Sequence, residues 1–157
     1  MVIYLAADHK GFQLKEYIRK LVSSMGYQVV DLGSQSYQEG DDYPDYAKKV
    51  AEKVSLGYEN SRGILICGSG VGMDVVANKY KNVRSGLIAT SDQAYDARND
   101  DDINVLSLAA DYLSKDEAKK IVVTWLETPF SEEEKYRRRL NKIYQIEEEV
   151  LKDIENK

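Results

Sequence analysis

Residues 63–72, Gly63-Ile64-Leu65-Ile66-Cys67-Gly68-Ser69-Gly70-Val71-Gly72, constrain the fold more than any other stretch of this 157-residue chain. Ile64 to Ile66 is an apolar run without alternation, as expected for a short strand buried on both faces. It breaks at Cys67 into a glycine-rich turn, and a helix carrying Val75, Val76 and Ala77 follows. Strand, glycine turn and helix start make an anion cradle, because glycine lets backbone N–H groups approach a ligand and the helix N-terminus is partly positive. A dinucleotide fingerprint requires glycine at position 73, which is Met, and a P-loop requires a terminal Gly-Lys-Ser/Thr that is absent. The cradle therefore suits a smaller anion, or an oxyanion formed during a reaction.

The turn holds the chain's one cysteine, with Ser69 two residues on. A buried cysteine that ends a core strand is ordinarily inert. Beside a helix N-terminus, however, a thiol pKa falls toward neutrality, and Cys67 is expected to serve as base or nucleophile.

Apolar strands and helices alternate along the chain. Strands are expected at Val2–Ala6, Tyr27–Leu32, 63–67, Val83–Ala89 and Asn104–Leu108. Between and after them, helices are expected from Phe12 to Met25, from Tyr43 to Val54, over 71–80, and over Ser91–Arg98 and Ser114–Leu126. Ser131 with Glu134 reads as a capping box for a last helix, whose apolar stripe is Tyr136, Leu140, Ile143, Ile146, Val150 and Ile154. Such a stripe needs a cover, and a neighbouring subunit is the expected one. The alternation implies one α/β domain over 1–157: a three-layer α/β/α sandwich with a Rossmann-like parallel five-stranded sheet and a long C-terminal helix. Ligands of such sheets bind outside the carboxyl ends of the strands. That edge should carry Asp8-His9, the Cys67 turn, Thr90-Ser91 and Ala109-Ala110-Asp111.

His9, the only histidine, is suited to an anion or a sugar hydroxyl, or to pairing with its neighbouring carboxylate. Lys135 and Arg139, four apart on one helix face, can grip a phosphate together or join the ion pairs Glu133–Arg137 and Glu134–Arg138. Tyr43 and Tyr46 read as packing residues, and Asp100-Asp101-Asp102 as a solvated, helix-ending loop. A net charge of −5 argues against nucleic acid and anionic membranes as partners. One cysteine permits no internal disulfide, and no ligand spacing for a metal is present. No apolar run approaches a membrane span and no signal-peptide pattern opens the chain, so a cytoplasmic location is expected.

The segments DHKG at 8–11, DYPDYA at 42–47, GILICGSGVG at 63–72, ANK at 77–79 and NVL at 104–106 together resemble the ribose-5-phosphate isomerase B / galactose-6-phosphate isomerase family, over roughly residues 1 to 140. The resemblance implies aldose–ketose isomerisation of a sugar phosphate through a cis-enediolate, without metal or organic cofactor. Homodimers or tetramers with shared sites are implied as well. It assigns catalytic positions to Cys67, as proton-transfer base, to Ser69 and to Asp100. It assigns substrate contacts to Asp8, His9, Tyr43, Gly68, Gly70, Val71, Gly72, Asp101, Lys135 and Arg139.

The chain also departs from the family pattern. Asp100 stands in place of the family's ring-opening histidine, Asp101 in place of the following asparagine, and Asp111 in place of a phosphate-binding arginine. Ribose 5-phosphate is the first substrate implied. The departures leave three alternatives: one subunit of a hetero-oligomeric galactose-6-phosphate-type isomerase, an isomerase for another or a non-phosphorylated sugar, and a non-catalytic sugar-binding relative.

Overall fold

The structure, a computed structural model, describes residues 1–155, with side chains through 152. Eleven elements follow in order: β1 Val2–Ala7, α1 Phe12–Ser24, β2 Gln28–Asp31, α2 Tyr43–Leu56, β3 Ser61–Cys67, α3 Val71–Ala77, β4 Ser85–Leu87, α4 Ser91–Asp101, β5 Val105–Ala109, α5 Lys115–Glu127 and α6 Glu134–Glu155. The strands form one parallel sheet in the order β2-β1-β3-β5-β4. The central strand β3 has Ile64, Leu65 and Ile66 fully buried.

Alternate residues of β3 feed two cores. Ile64 and Ile66 pack with Leu14, Ile18, Ile121 and Trp125 of α1 and α5 on one face. Leu65 and Cys67 pack with Val50, Val54, Met73 and Ala77 of α2 and α3 on the other. Each fully buried aliphatic side chain contributes about 1.5–3 kcal/mol relative to exposure.

Side-chain hydrogen bonds, not apolar pattern, set several element ends. The fourth strand is only Ser85–Leu87, inside the expected Val83–Ala89. Arg84 N donates to Asn104 Oδ1 (2.8 Å) and Ala89 N to Gln93 Oε1 (2.8 Å), which takes both ends out of the ladder. The helix expected over 71–80 ends at Ala77. Asn78 there donates through Nδ2 to Asp74 O and Ser85 O and accepts from Ser85 N, tying the helix end to β4. α4 runs past Arg98 to Asp101 and stops where Asp102 turns left-handed at φ 48°.

The Ser131–Glu134 capping box does not form. Ser131 Oγ accepts from Glu133 N at 3.4 Å, one residue too early, while Glu134 pairs with Arg138 at 3.0 Å. Glu133 turns to Lys135 (3.3 Å) rather than to Arg137. A full capping box lies instead on α5, between Ser114 and Glu117.

On α6, Leu140 is buried, while Ile143, Ile146, Val150 and Leu151 are exposed. Most of the expected apolar stripe is thus bare; the side chain of Ile154 lies outside the described residues. No described helix is long and apolar enough to cross a membrane.

Candidate active site

The register Ala7↔Ile66 and Cys67↔Ala109 sets the ends of β1, β3 and β5 side by side on the carboxyl edge of the sheet. The chain leaves β1 toward β2 and returns across it to β3, so the crevice between β1 and β3 is the switch point where ligands bind in such sheets.

Four glycines shape this crevice. A Cβ on Gly11 would lie 2.3 Å from Ile66 O, so only glycine lets α1 start this close to β3. Gly70 adopts φ 75°, and a Cβ there would strike Leu87 Cδ1 at 2.4 Å. Gly72 lies under the Tyr43 ring, whose Cζ would be 2.6 Å from an added Cβ. Gly68 lies under Lys10 and Asp111, whose Nζ and Oδ2 pair at 3.2 Å.

Cys67 closes the floor at 4 % exposure. The backbone N–H groups of Met73, Gly70 and Gly72 point at its sulfur. Burial pushes the thiol above its ordinary pKa, those three N–H groups pull it down, and nearby Asp8 pushes it up again; the net direction is upward. The expected lowering is therefore reversed, because the sulfur is sealed from water more completely than the short helix offsets. Ser69 is exposed and accepts from Val71 N at 3.3 Å.

Asp8 is buried and accepts from Gly11 N at 3.0 Å. Burial outweighs that bond and holds its carboxyl above the usual range. His9 does not pair with Asp8. Its Nδ1 and its backbone N both meet Asp41 Oδ1, at 2.7 and 2.9 Å, across the 33–42 loop. Burial pushes the Asp41 carboxyl up, but the His9 bonds outweigh it and the net direction is downward. The bond occupies Nδ1 and leaves Nε2 as the ring's remaining nitrogen. The loop is itself fixed by Lys15, wholly buried, whose Nζ donates to Asp31 Oδ2 and Ser34 O at 2.7 Å each.

The structure thus gathers Asp8, His9, Tyr43, Cys67, Gly68, Ser69, Gly70, Val71 and Gly72 at one edge, with Asp111 beside them. Asp100, Asp101, Lys135 and Arg139 lie elsewhere. α4 runs back along the sheet and ends just before β5 begins, so Asp100 and Asp101 sit at the amino edge, opposite Cys67. Asn99 Nδ2 donates to Asp100 Oδ1, and Ser131 N donates to Asn99 O, which sets the approach to α6 there too. Burial and then Asp100 push the Asp101 carboxyl up, with Arg139 pulling it down. Lys135 and Arg139 flank the Tyr136 ring at 4.5 and 5.7 Å.

Sequence reasoning missed Asp41 and Lys10 as parts of this edge. The only signals were the Asp41-Asp42 pair closing the loop and Lys10 within DHKG. Among the described residues no three His, Cys, Asp or Glu side chains come together to hold a metal.

Fold and crevice together define a Rossmann-like α/β sandwich with a cysteine at the base of a backbone N–H cradle, an arrangement suited to stabilising an enediolate. Comparison with known proteins agrees: the family model described as Ribose/Galactose Isomerase matches residues 3–143. The chain belongs to the ribose/galactose isomerase family. It is 40 % identical over 148 residues to the probable ribose-5-phosphate isomerase B of Mycoplasma genitalium, covering 94 % of this chain and 97 % of that one. It is 37 % identical to ribose-5-phosphate isomerase B of Escherichia coli, covering 93 % and 96 %. The solved Mycoplasma genitalium enzyme with bound ribulose-5-phosphate superposes with a TM-score of 0.91 at 39 % identity, over 94 % of this chain and 97 % of that one.

Proposed function

We propose that this chain, acting as one domain over 1–157, interconverts ribose 5-phosphate and ribulose 5-phosphate in the cytoplasm, in a homodimer or tetramer whose sites are shared between copies. The observation that carries this reading is the Cys67 sulfur, set at the end of β3 under three converging N–H groups. As a thiolate, Cys67 removes the proton from C2 of the open-chain aldose. The C2 electron pair then forms the enediolate double bond as the C1 carbonyl electrons move to oxygen. The C2 hydroxyl proton then passes to O1, and the thiol returns its proton to C1 as the C2 carbonyl forms, which gives the ketose and restores the thiolate with no net gain or loss of atoms or electrons. Ser69 and the N–H groups of 70–72 hold the enediolate, whose charge the preorganised donors stabilise. Asp8 binds sugar hydroxyls, His9 lies toward the phosphate, and Tyr43 walls the pocket.

Asp100, Asp101, Lys135 and Arg139 reach a Cys67 cradle only from a second copy, because in their own chain they occupy the opposite sheet edge. The bare apolar residues of α6, with Val71 and Val75 exposed on α3, supply a surface for that copy. Exchange of the C2 proton of ribose 5-phosphate with deuterated solvent tests the base. Cys67→Ala should lower exchange by about 10²–10⁴-fold while substrate binding persists. Undiminished exchange in that variant rules the cysteine out.

A further inference from the structure

The amino edge of the sheet carries a second feature that the isomerase site does not use. A cleft of about 260 Å³ there is lined by Arg62, Arg84, Arg98, Asp102, Glu59 and Tyr144, and neither Lys135 nor Arg139 lines it. Three guanidinium groups meet there and share one inner carboxylate. Asp102 takes Arg84 at 2.8 Å through Oδ2 and Arg98 at 2.6 Å through Oδ1, and acts on Arg62 only through its charge, without an ion pair. Arg62 forms no ion pair among the described residues. Its Nη1 donates to Trp125 O and Leu126 O at a long 3.3 Å each, and its Cζ lies over the Trp125 ring, 5.4 Å from the centroid.

Arg98 is 4 % exposed, and its Nε has no hydrogen-bond partner, so a buried donor beside the cleft is left unsatisfied. Glu59 stands exposed at the rim. The lining side chains, three guanidinium groups against Asp102 and Glu59, leave one positive charge in excess.

We propose that this cleft is a second anion site, separate from the Cys67 cradle, which takes a small dianionic oxyanion of the phosphate or phosphomonoester class between Arg62 and Arg98. Planar N–H pairs grip oxyanions two at a time, and Arg84, at 2.8 Å from Asp102, takes up much of that carboxylate's charge. Without it, Asp102 alone offsets the two cations in a partly desolvated setting. Burial first, and then Arg98, lower the Arg62 pKa to about 10. An anion there repays both effects. Because it binds only where the sheet edge and α5 are assembled, it also stabilises the folded chain.

The test uses the full chain carrying Lys135→Ala and Arg139→Ala, which removes cationic contacts proposed for the substrate phosphate. Inorganic phosphate, and in a second titration glycerol 3-phosphate, is added while the Nε–H resonances of Arg62 and Arg98 are followed by ¹⁵N NMR. Saturable shifts of both resonances are expected, absent with chloride at equal ionic strength. Arg62→Gln should abolish them, and Arg62→Lys, which keeps the charge but not the fork, should weaken binding about tenfold. Shifts that vanish in the Lys135/Arg139 variant, that chloride reproduces, or that survive Arg62→Gln overturn the proposal. None of these readouts depends on turnover, so they separate this site from the isomerase reading.

Discussion

Cys67 shows how two familiar effects compete at one atom. A helix start lowers a thiol pKa and burial raises it, and here burial wins. At neutral pH most of the thiol is then protonated, and the thiolate fraction that the proposed mechanism uses grows as pH rises. The kcat/KM for ribose 5-phosphate should accordingly climb on the alkaline side, with an apparent pKa above the ordinary thiol value of about 8.5. A pH–rate profile already flat from about pH 6 would contradict this. Asp111 carries a second prediction. It lies over Gly68 beside Lys10, at the position that family likeness gives to an arginine. Asp111→Arg should lower the KM for phosphorylated sugars several-fold and leave free sugars little changed, because it turns a repulsion into an attraction that solvent only partly screens. Steady-state kinetics on ribose and ribose 5-phosphate decide it. The glycines of the crevice were legible in the sequence because their spacing is local. The His9–Asp41 bond was not, since it joins residues 32 apart across a loop without periodic pattern. The burial of Cys67 was one of two readings open at a strand end; that burial outweighs the helix start depends on how α2 and α3 close over it.

The elements themselves follow from hydrophobic period, and their order and type were readable. Their ends were not, because Asn78, Asn104 and Gln93 settle them through side-chain bonds to distant backbone. The two Ser-x-x-Glu patterns make the same point. Ser114 stands where the chain turns into α5 and caps it, whereas Ser131 precedes its helix by too much. The tie between α1 and β2 is also an element-scale device. Lys15 lies wholly inside, matched by Asp31 and Ser34 O, and anchors the loop that presents Asp41 to His9. Asp31→Ala would leave the buried ammonium with only the longer Glu16 contact at 3.5 Å and should cost about 2–4 kcal/mol, somewhat less than a fully unpaired buried charge. Urea unfolding measures that loss; a change under about 1 kcal/mol would show that the lysine escapes to water instead.

At the scale of the molecule, the isomerase reading rests on a separation. In a parallel sheet each strand delivers its chain to one edge and each helix returns it to the other. Cys67, at a strand end, and Asp100 and Asp101, at a helix end, therefore cannot share an edge within one chain. That placement was implicit in the sequence once strands and helices alternated, yet family likeness alone grouped all these residues in one site. The measurement that bears most directly on a shared, cysteine-based site is complementation between two defective chains. Cys67→Ala and Lys135→Ala/Arg139→Ala are each purified, shown to be folded and poorly active, then dissociated in mild denaturant and reassembled together. Each mixed pair holds one site with an intact Cys67 from one copy and an intact cationic pair from the other. Ribose 5-phosphate turnover should then recover to roughly a quarter of the unmodified protein's, the share of intact sites expected from random pairing of a two-fold dimer. Mixed assemblies that remain as inactive as their parents would contradict a site built from both sheet edges.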